Sequence, residues 1–184
     1  AEDQFPELVI QCLRPPSNES GRDGVMAGVM WAVGPGCSNV LFQDLRARIT
    51  EEEALHLLLL SPFRLSTWEL VDQLSENARA SYWREVVPQY IFDAANENNE
   101  GVRRLLDAKR PRAAFAAVHF KLDEIRPALL VRMLSDMALK GNDKAGEYLL
   151  QEYDLQHAFK LLDRNPDVTF EEKARLEFDY LEAL

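Results

Sequence analysis

Apolar positions recur three and four residues apart along most of the chain. Leu130, Met133, Leu134 and Met137 share one helical face behind Arg126-Pro127, and Lys140-Gly141 supplies an ending. That spacing follows from the 3.6-residue turn of an α-helix. The stretch LLDAKRPRAAFAAVHF at 105–120 carries an Arg-Pro in its middle. Proline clashes inside a helix but is preset for its first turn, so Pro111 predicts the start of a second helix.

Capping chemistry marks other starts. Thr50 with Glu53, Ser66 with Glu69, and Thr169 with Glu172 have the spacing at which two side chains satisfy each other's exposed backbone donors. Asn142 and Asp154 are caps of the simpler kind. Together these patterns predict helices near 4–13, 23–33, 38–48, 51–61, 67–74, 77–87, 89–98, 100–108, 111–122, 127–139, 143–152, 155–163 and 170–183. ELVIQCL at 7–13 has a strand as its alternative. Residues 14–24, RPPSNESGRDG, read as a surface loop. Gly34-Pro35-Gly36-Cys37-Ser38 reads as a turn between two helices.

The expected fold is therefore all-α: an array of about 12 or 13 short antiparallel helices, arranged as an α-solenoid or an irregular bundle. With 184 residues the chain has the length of one domain. Two internal arrangements stay open: 1–50 within the array, or 1–50 as an N-terminal cap on helical-hairpin repeats over 51–184. The chain opens Ala1-Glu2-Asp3 with no initiator Met, and is read as a piece of a longer polypeptide.

In LLDAKRPRAAFAAVHF a helix ending in Leu-Leu is followed by a turn and an Ala-rich partner helix. On that stretch, residues 60–184 resemble the α-helical repeat superfamily of tetratricopeptide-like and HEAT-like solenoids, although the consensus patterns of tetratricopeptide and ankyrin repeats are absent. The same residues look like helical regions of large multidomain bacterial proteins without an assigned activity. The resemblance implies a scaffold and carries over no catalytic residue.

Composition narrows the function. The chain is 47% hydrophobic and 28% charged, the balance of a globular protein. Its longest apolar stretch, residues 24–34, falls short of the roughly 20 residues a spanning helix needs, so no membrane insertion is expected. Cys12 and Cys37 have neither metal-site spacing nor disulfide density, and reduced thiols in a cytoplasmic protein are expected. No cofactor motif is present in the sequence.

The formal charge of −10 is uneven. Residues 1–100 hold 7 Lys and Arg against 16 Asp and Glu, residues 101–140 hold 9 against 4, and residues 141–184 hold 5 against 11. Arg103, Arg104, Lys109, Arg110 and Arg112 crowd one helix-to-helix turn inside the basic middle. They are candidates for an acidic partner or a phosphate-bearing ligand, and the alternative is internal pairing with the acidic flanks. Overall acidity argues against general nucleic-acid binding, which feeds on an extended basic face. A second candidate surface lies in SYWREVVPQYIF at 81–92, where Tyr82, Trp83 and Tyr90 sit beside Pro88.

Catalytic chemistry finds one nominee. Cys37, as the first residues of a helix, would have a lowered pKa and nucleophilic character. No pair among His56, His119 and His157 has metal-ligand spacing, and His56 and His119 are expected as buried histidines bonded to nearby backbone. The leading function is thus a non-catalytic protein-interaction module with a protein or peptide partner. The alternatives are a sensor domain binding a small anion at the basic turn, and a helical enzyme using Cys37.

Overall fold

The computed structural model describes residues 5–13, 20–88, 95–140 and 152–183. Among these residues it contains eleven helices and no strand. The all-α expectation holds. Two compact units divide the chain, Ala1–Val86 and Val87–Leu184.

The first unit contains α1 (Phe5–Leu13), α2 (Ser20–Arg46), α3 (Glu51–Leu59), α4 (Leu65–Val71) and α5 (Glu76–Glu85). The strand alternative for residues 7–13 fails because Val9 and Ile10 are both buried, whereas alternation would send them to opposite faces. Helix α2 corrects the sequence reading twice. It begins at Ser20, inside the expected loop, and runs unbroken through Gly34-Pro35-Gly36 where a turn was expected.

The reason lies in the register of its buried residues. Met30 and Leu41 are both buried and eleven residues apart, which is about three helical turns. Met26, Leu45 and Phe42 fall on the same side, so one continuous helix buries both halves together. That packing outweighs the local preference of Gly and Pro.

Both halves of the Thr50 capping box are present. The Glu53 backbone N–H donates to Thr50 Oγ1 at 3.2 Å and the Thr50 N–H donates to Glu53 Oε2 at 2.7 Å. Helix α4 is different: Ser66 is not its cap. The cap position is Arg64, with no side-chain cap bond, and the start is held by the Phe63 and Trp68 rings packed edge to face at 4.9 Å. An apolar pair bracketing the first turn in this way fixes the entry of the chain without a polar cap. The unit closes on Phe42, Leu45, Leu57, Leu58, Trp68 and Tyr82, all fully enclosed.

The second unit contains α6 (Ala95–Asp107), α7 (Pro111–Val118), a 3₁₀ helix (His119–Glu124), α8 (Pro127–Lys140), α9 (Glu152–Asp163) and α10 (Phe170–Ala183). Helix α6 starts before the boundary expected near residue 100, and residues 89–94 of the preceding expected helix lie outside the described residues. The expected helix at 143–152, with its cap Asn142, falls outside them as well, apart from its last residue, Glu152, which begins α9. Pro111 and Pro127 each open a helix, as expected.

Helix α7 is buried at every residue except Arg112, which is half-buried. A helix that is apolar on every side belongs in the middle of a core. It packs between α6 and α8. After Val118 the chain tightens to 3₁₀ geometry, where the sequence pattern predicts more α-helix. The backbone departs from helical geometry at Lys121 and leaves the segment extended at Ile125, and His119, Leu122 and Ile125 are all buried along it. On α8, Leu130, Met133, Leu134 and Met137 are all buried, as their spacing predicts.

Candidate interaction site

The basic turn is built by the end of α6. The Arg110 N–H donates to Leu105 O at 2.9 Å and the Lys109 N–H to Leu106 O at 3.0 Å, the paired bonds of a Schellman ending. Lys109 takes the left-handed position, with φ 61°. Arg110 is then the cap residue of α7, only 5% exposed, and Pro111 is the first residue of that helix. One turn therefore separates the five basic residues into different environments.

Arg103 and Arg104 point into carboxylates. Both reach Glu100 Oε1 at 2.6 Å, one helical turn back, and Arg103 also meets Asp107 Oδ2 at 2.9 Å. Asp107 in turn binds Arg132 on α8 at 2.9 Å through its other oxygen, and Arg132 lies 3.9 Å from Asp136. A chain of alternating charges thus links α6 to α8. Hydrogen bonds from Arg103, reinforced by Arg104 and by both positive charges, hold the Glu100 carboxyl at a pKa of about 2 although burial opposes them. The Arg103 guanidinium is shifted up by the same contact. The acidic partners stand on α6 and α8: Glu100 closes the acidic segment 1–100, while Asp107 and Asp136 lie inside the basic one.

At the start of α6 two buried asparagines fasten the turn before α8. Asn99 accepts from the Arg126 N–H at 2.7 Å and donates to the Glu124 carbonyl at 2.9 Å. Asn98 donates to the Glu124 carboxylate at 2.6 Å, and Lys121 reaches the other oxygen of that carboxylate at 3.2 Å. The sequence reading overlooked both, because their partners stand 25 to 27 positions away.

Of the aromatic candidates, Tyr82 and Trp83 belong to the first unit. Tyr82 is fully enclosed. Trp83 is half-buried, its ring 5.1 Å from Tyr82, 6.0 Å from Trp68 and 6.1 Å from Phe63. The contacts with Tyr82 and Phe63 are edge to face and the one with Trp68 is tilted, and together they make one packed cluster. Tyr90 lies outside the described residues.

Cys37 is placed by the backbone in the interior of α2, so the first-turn position that would activate its thiol does not exist. The histidines divide. His119 is buried with Nδ1 2.9 Å from the Ala116 carbonyl oxygen, the backbone-bonded arrangement expected for it, and a carbonyl partner requires the proton on Nδ1. His56 departs from expectation: it is only partly buried, and its Nε2 faces Asp23 Oδ1 at 3.1 Å. His157 is half-buried beside the Tyr153 ring. Among the described residues no three His, Cys, Asp or Glu side chains converge as a metal site requires. No helix of the described residues is long and apolar enough to cross a membrane.

One feature absent from the sequence candidates stands on α10. Phe170 is 87% exposed and Phe178 57% exposed. The signal was in the sequence, since Phe170, Ala174 and Phe178 repeat every four residues, but their spacing alone does not say which side of a helix meets the core. No protein-family model, no curated protein and no solved structure matches this chain.

Proposed function

We propose that the chain is a non-catalytic protein-interaction module of a cytoplasmic scaffold, built from helical hairpins in the manner of the helical-repeat proteins it resembles. The observation that carries this reading is the outward placement of large apolar side chains on α10, with Phe170 as the extreme. Such side chains gain about 1.5–3 kcal/mol each when a partner covers them. The basic turn supports the same reading less directly. Its arginines 103 and 104 already hold carboxylates, which leaves Lys109 as the exposed cation most accessible to an acidic partner.

The test is capture from lysate with identification by mass spectrometry, followed by reconstitution of each candidate from purified components. A partner that binds the purified chain at micromolar concentration or below, and ignores an unrelated helical protein of equal charge, is the expected result. Recovery of the same protein set by both would overturn the reading.

A further inference from the structure

Helix α10 carries apolar residues on two opposite sides. Leu176 is 1% exposed, and the Tyr180 ring packs edge to face on Phe159 of α9 at 5.4 Å, so this side holds the helix to its unit. Burial of the Tyr180 phenol shifts its pKa upward, in keeping with that inward position. Lys173 belongs to the same inner side, its Nζ donating to the Asp163 carbonyl at 3.1 Å.

At about 100° per residue, Phe170, Ala174 and Phe178 span roughly 80° of arc whose centre lies about 160° from Leu176. All three are exposed. Leu181 occupies the next position in that register. Glu171 and Glu177, both exposed, border the stripe on its two edges. The helix holds Glu171, Glu172, Glu177, Asp179 and Glu182 against Lys173 and Arg175.

We infer that this outer face of α10 docks a basic amphipathic helix of another polypeptide. The inference rests on the interaction reading above and names its partner's chemistry. Apolar residues of the incoming helix would seat over Ala174 between the two phenylalanine rings, while its Lys and Arg residues meet Glu171 and Glu177. Flanking charges choose the partner of an apolar helix seam. A second copy of this chain is disfavoured because two such faces would set acidic borders against each other. An anionic lipid surface is disfavoured on the same ground, since helices that lie on membranes carry Lys and Arg beside the apolar stripe.

The probe is a fluorescently labelled synthetic helix of about 18 residues, or five turns, with Leu on one face and Lys on the other, beside a counterpart with Glu for every Lys. Binding is read by anisotropy against the whole chain. Wild type should bind the Lys peptide and not the Glu peptide. The double variant Phe170→Ala/Phe178→Ala keeps every charge, and should bind at least tenfold more weakly, equivalent to about 1.4 kcal/mol, with an unchanged unfolding midpoint. Glu171→Lys/Glu177→Lys should reverse the peptide preference.

Equal binding by wild type and the phenylalanine double variant would overturn the inference, as would indifference to peptide charge. A shifted unfolding midpoint would place those rings in the core and overturn it too. So would a wild-type dimer in sedimentation that the double variant loses, which would give the face to a second copy. A lysate partner captured equally by wild type and the double variant would sink the α10 inference alone and leave the module reading standing.

Discussion

Replacing Glu100 by Gln removes the acceptor charge shared by Arg103 and Arg104 while keeping the size of the side chain. In the folded chain the Glu100 carboxyl has a pKa of about 2 against an ordinary 4.5. Converting the whole difference at about 1.4 kcal/mol per pH unit gives roughly 3 kcal/mol. Solvent reaches the pair, with the Glu100 side chain 28% and the Arg103 side chain 48% exposed. Screening brings the expected loss to about 1–2 kcal/mol near neutral pH.

The sign sets the pH window. A lowered carboxyl pKa contributes stability that is complete above about 4.5 and is lost as pH falls toward 2. Wild type and Glu100→Gln should therefore differ near neutrality and converge in acid, the remaining carboxylates being common to both. Urea unfolding followed by far-ultraviolet circular dichroism, at about pH 7 and again at about pH 2.5, measures the gap directly. A gap below about 0.3 kcal/mol at neutrality, or one that persists undiminished in acid, would refute the assignment of Glu100 as the anchor of this ion-pair chain.

Three further outcomes follow from local geometry. Ser75→Ala should destabilise by about 1 kcal/mol in the same urea assay, because Ser75 Oγ caps Ala78 and Ser75 also donates to Glu51 through its N–H at 2.8 Å and its hydroxyl at 2.9 Å. Lys109→Gly should stabilise by about 0.5–1 kcal/mol by relieving a left-handed backbone at φ 61°, and a fall in the unfolding midpoint would count against the Schellman ending. Asn99→Ala should cost about 2 kcal/mol through two lost hydrogen bonds at a site 6% exposed, and a calorimetric melting temperature equal to wild type would remove Asn99 from the framework.

What the sequence makes legible is chemistry that closes within one helical turn. Pro111 and Pro127 open helices, and the Thr50–Glu53 and Thr169–Glu172 pairs cap them, because donor and acceptor stand three residues apart whatever the rest of the chain does. Ser66 fails as a cap because the Phe63–Trp68 contact sets the start of α4 two residues earlier than a Ser66 cap would allow. The Gly34-Pro35-Gly36 break fails because residues on either side of it bury in one register. At the candidate sites the basic cluster was visible as composition, and the carboxylates that occupy Arg103 and Arg104 were legible too, since Glu100 and Asp107 stand three and four residues away at helix ion-pair spacing. Asn98 and Asn99 were invisible for a different reason: polar residues at a helix start look solvated until the turn at Glu124–Arg126 arrives on top of them.

The enclosure of α7 has a consequence for how this protein can vary. Ala113, Ala114, Ala116 and Ala117 are each at most 6% exposed, on a helix with neighbours on both flanks. A larger side chain at any of them has no open direction to grow into, so accepting one would require α6 or α8 to step outward, and close-packed interiors resist such shifts. An exposed position such as Tyr153 on α9 has solvent to grow into and can change singly. The alanine run can change only in concert with its neighbours, which makes it the stretch where inherited variation in this unit should be narrowest.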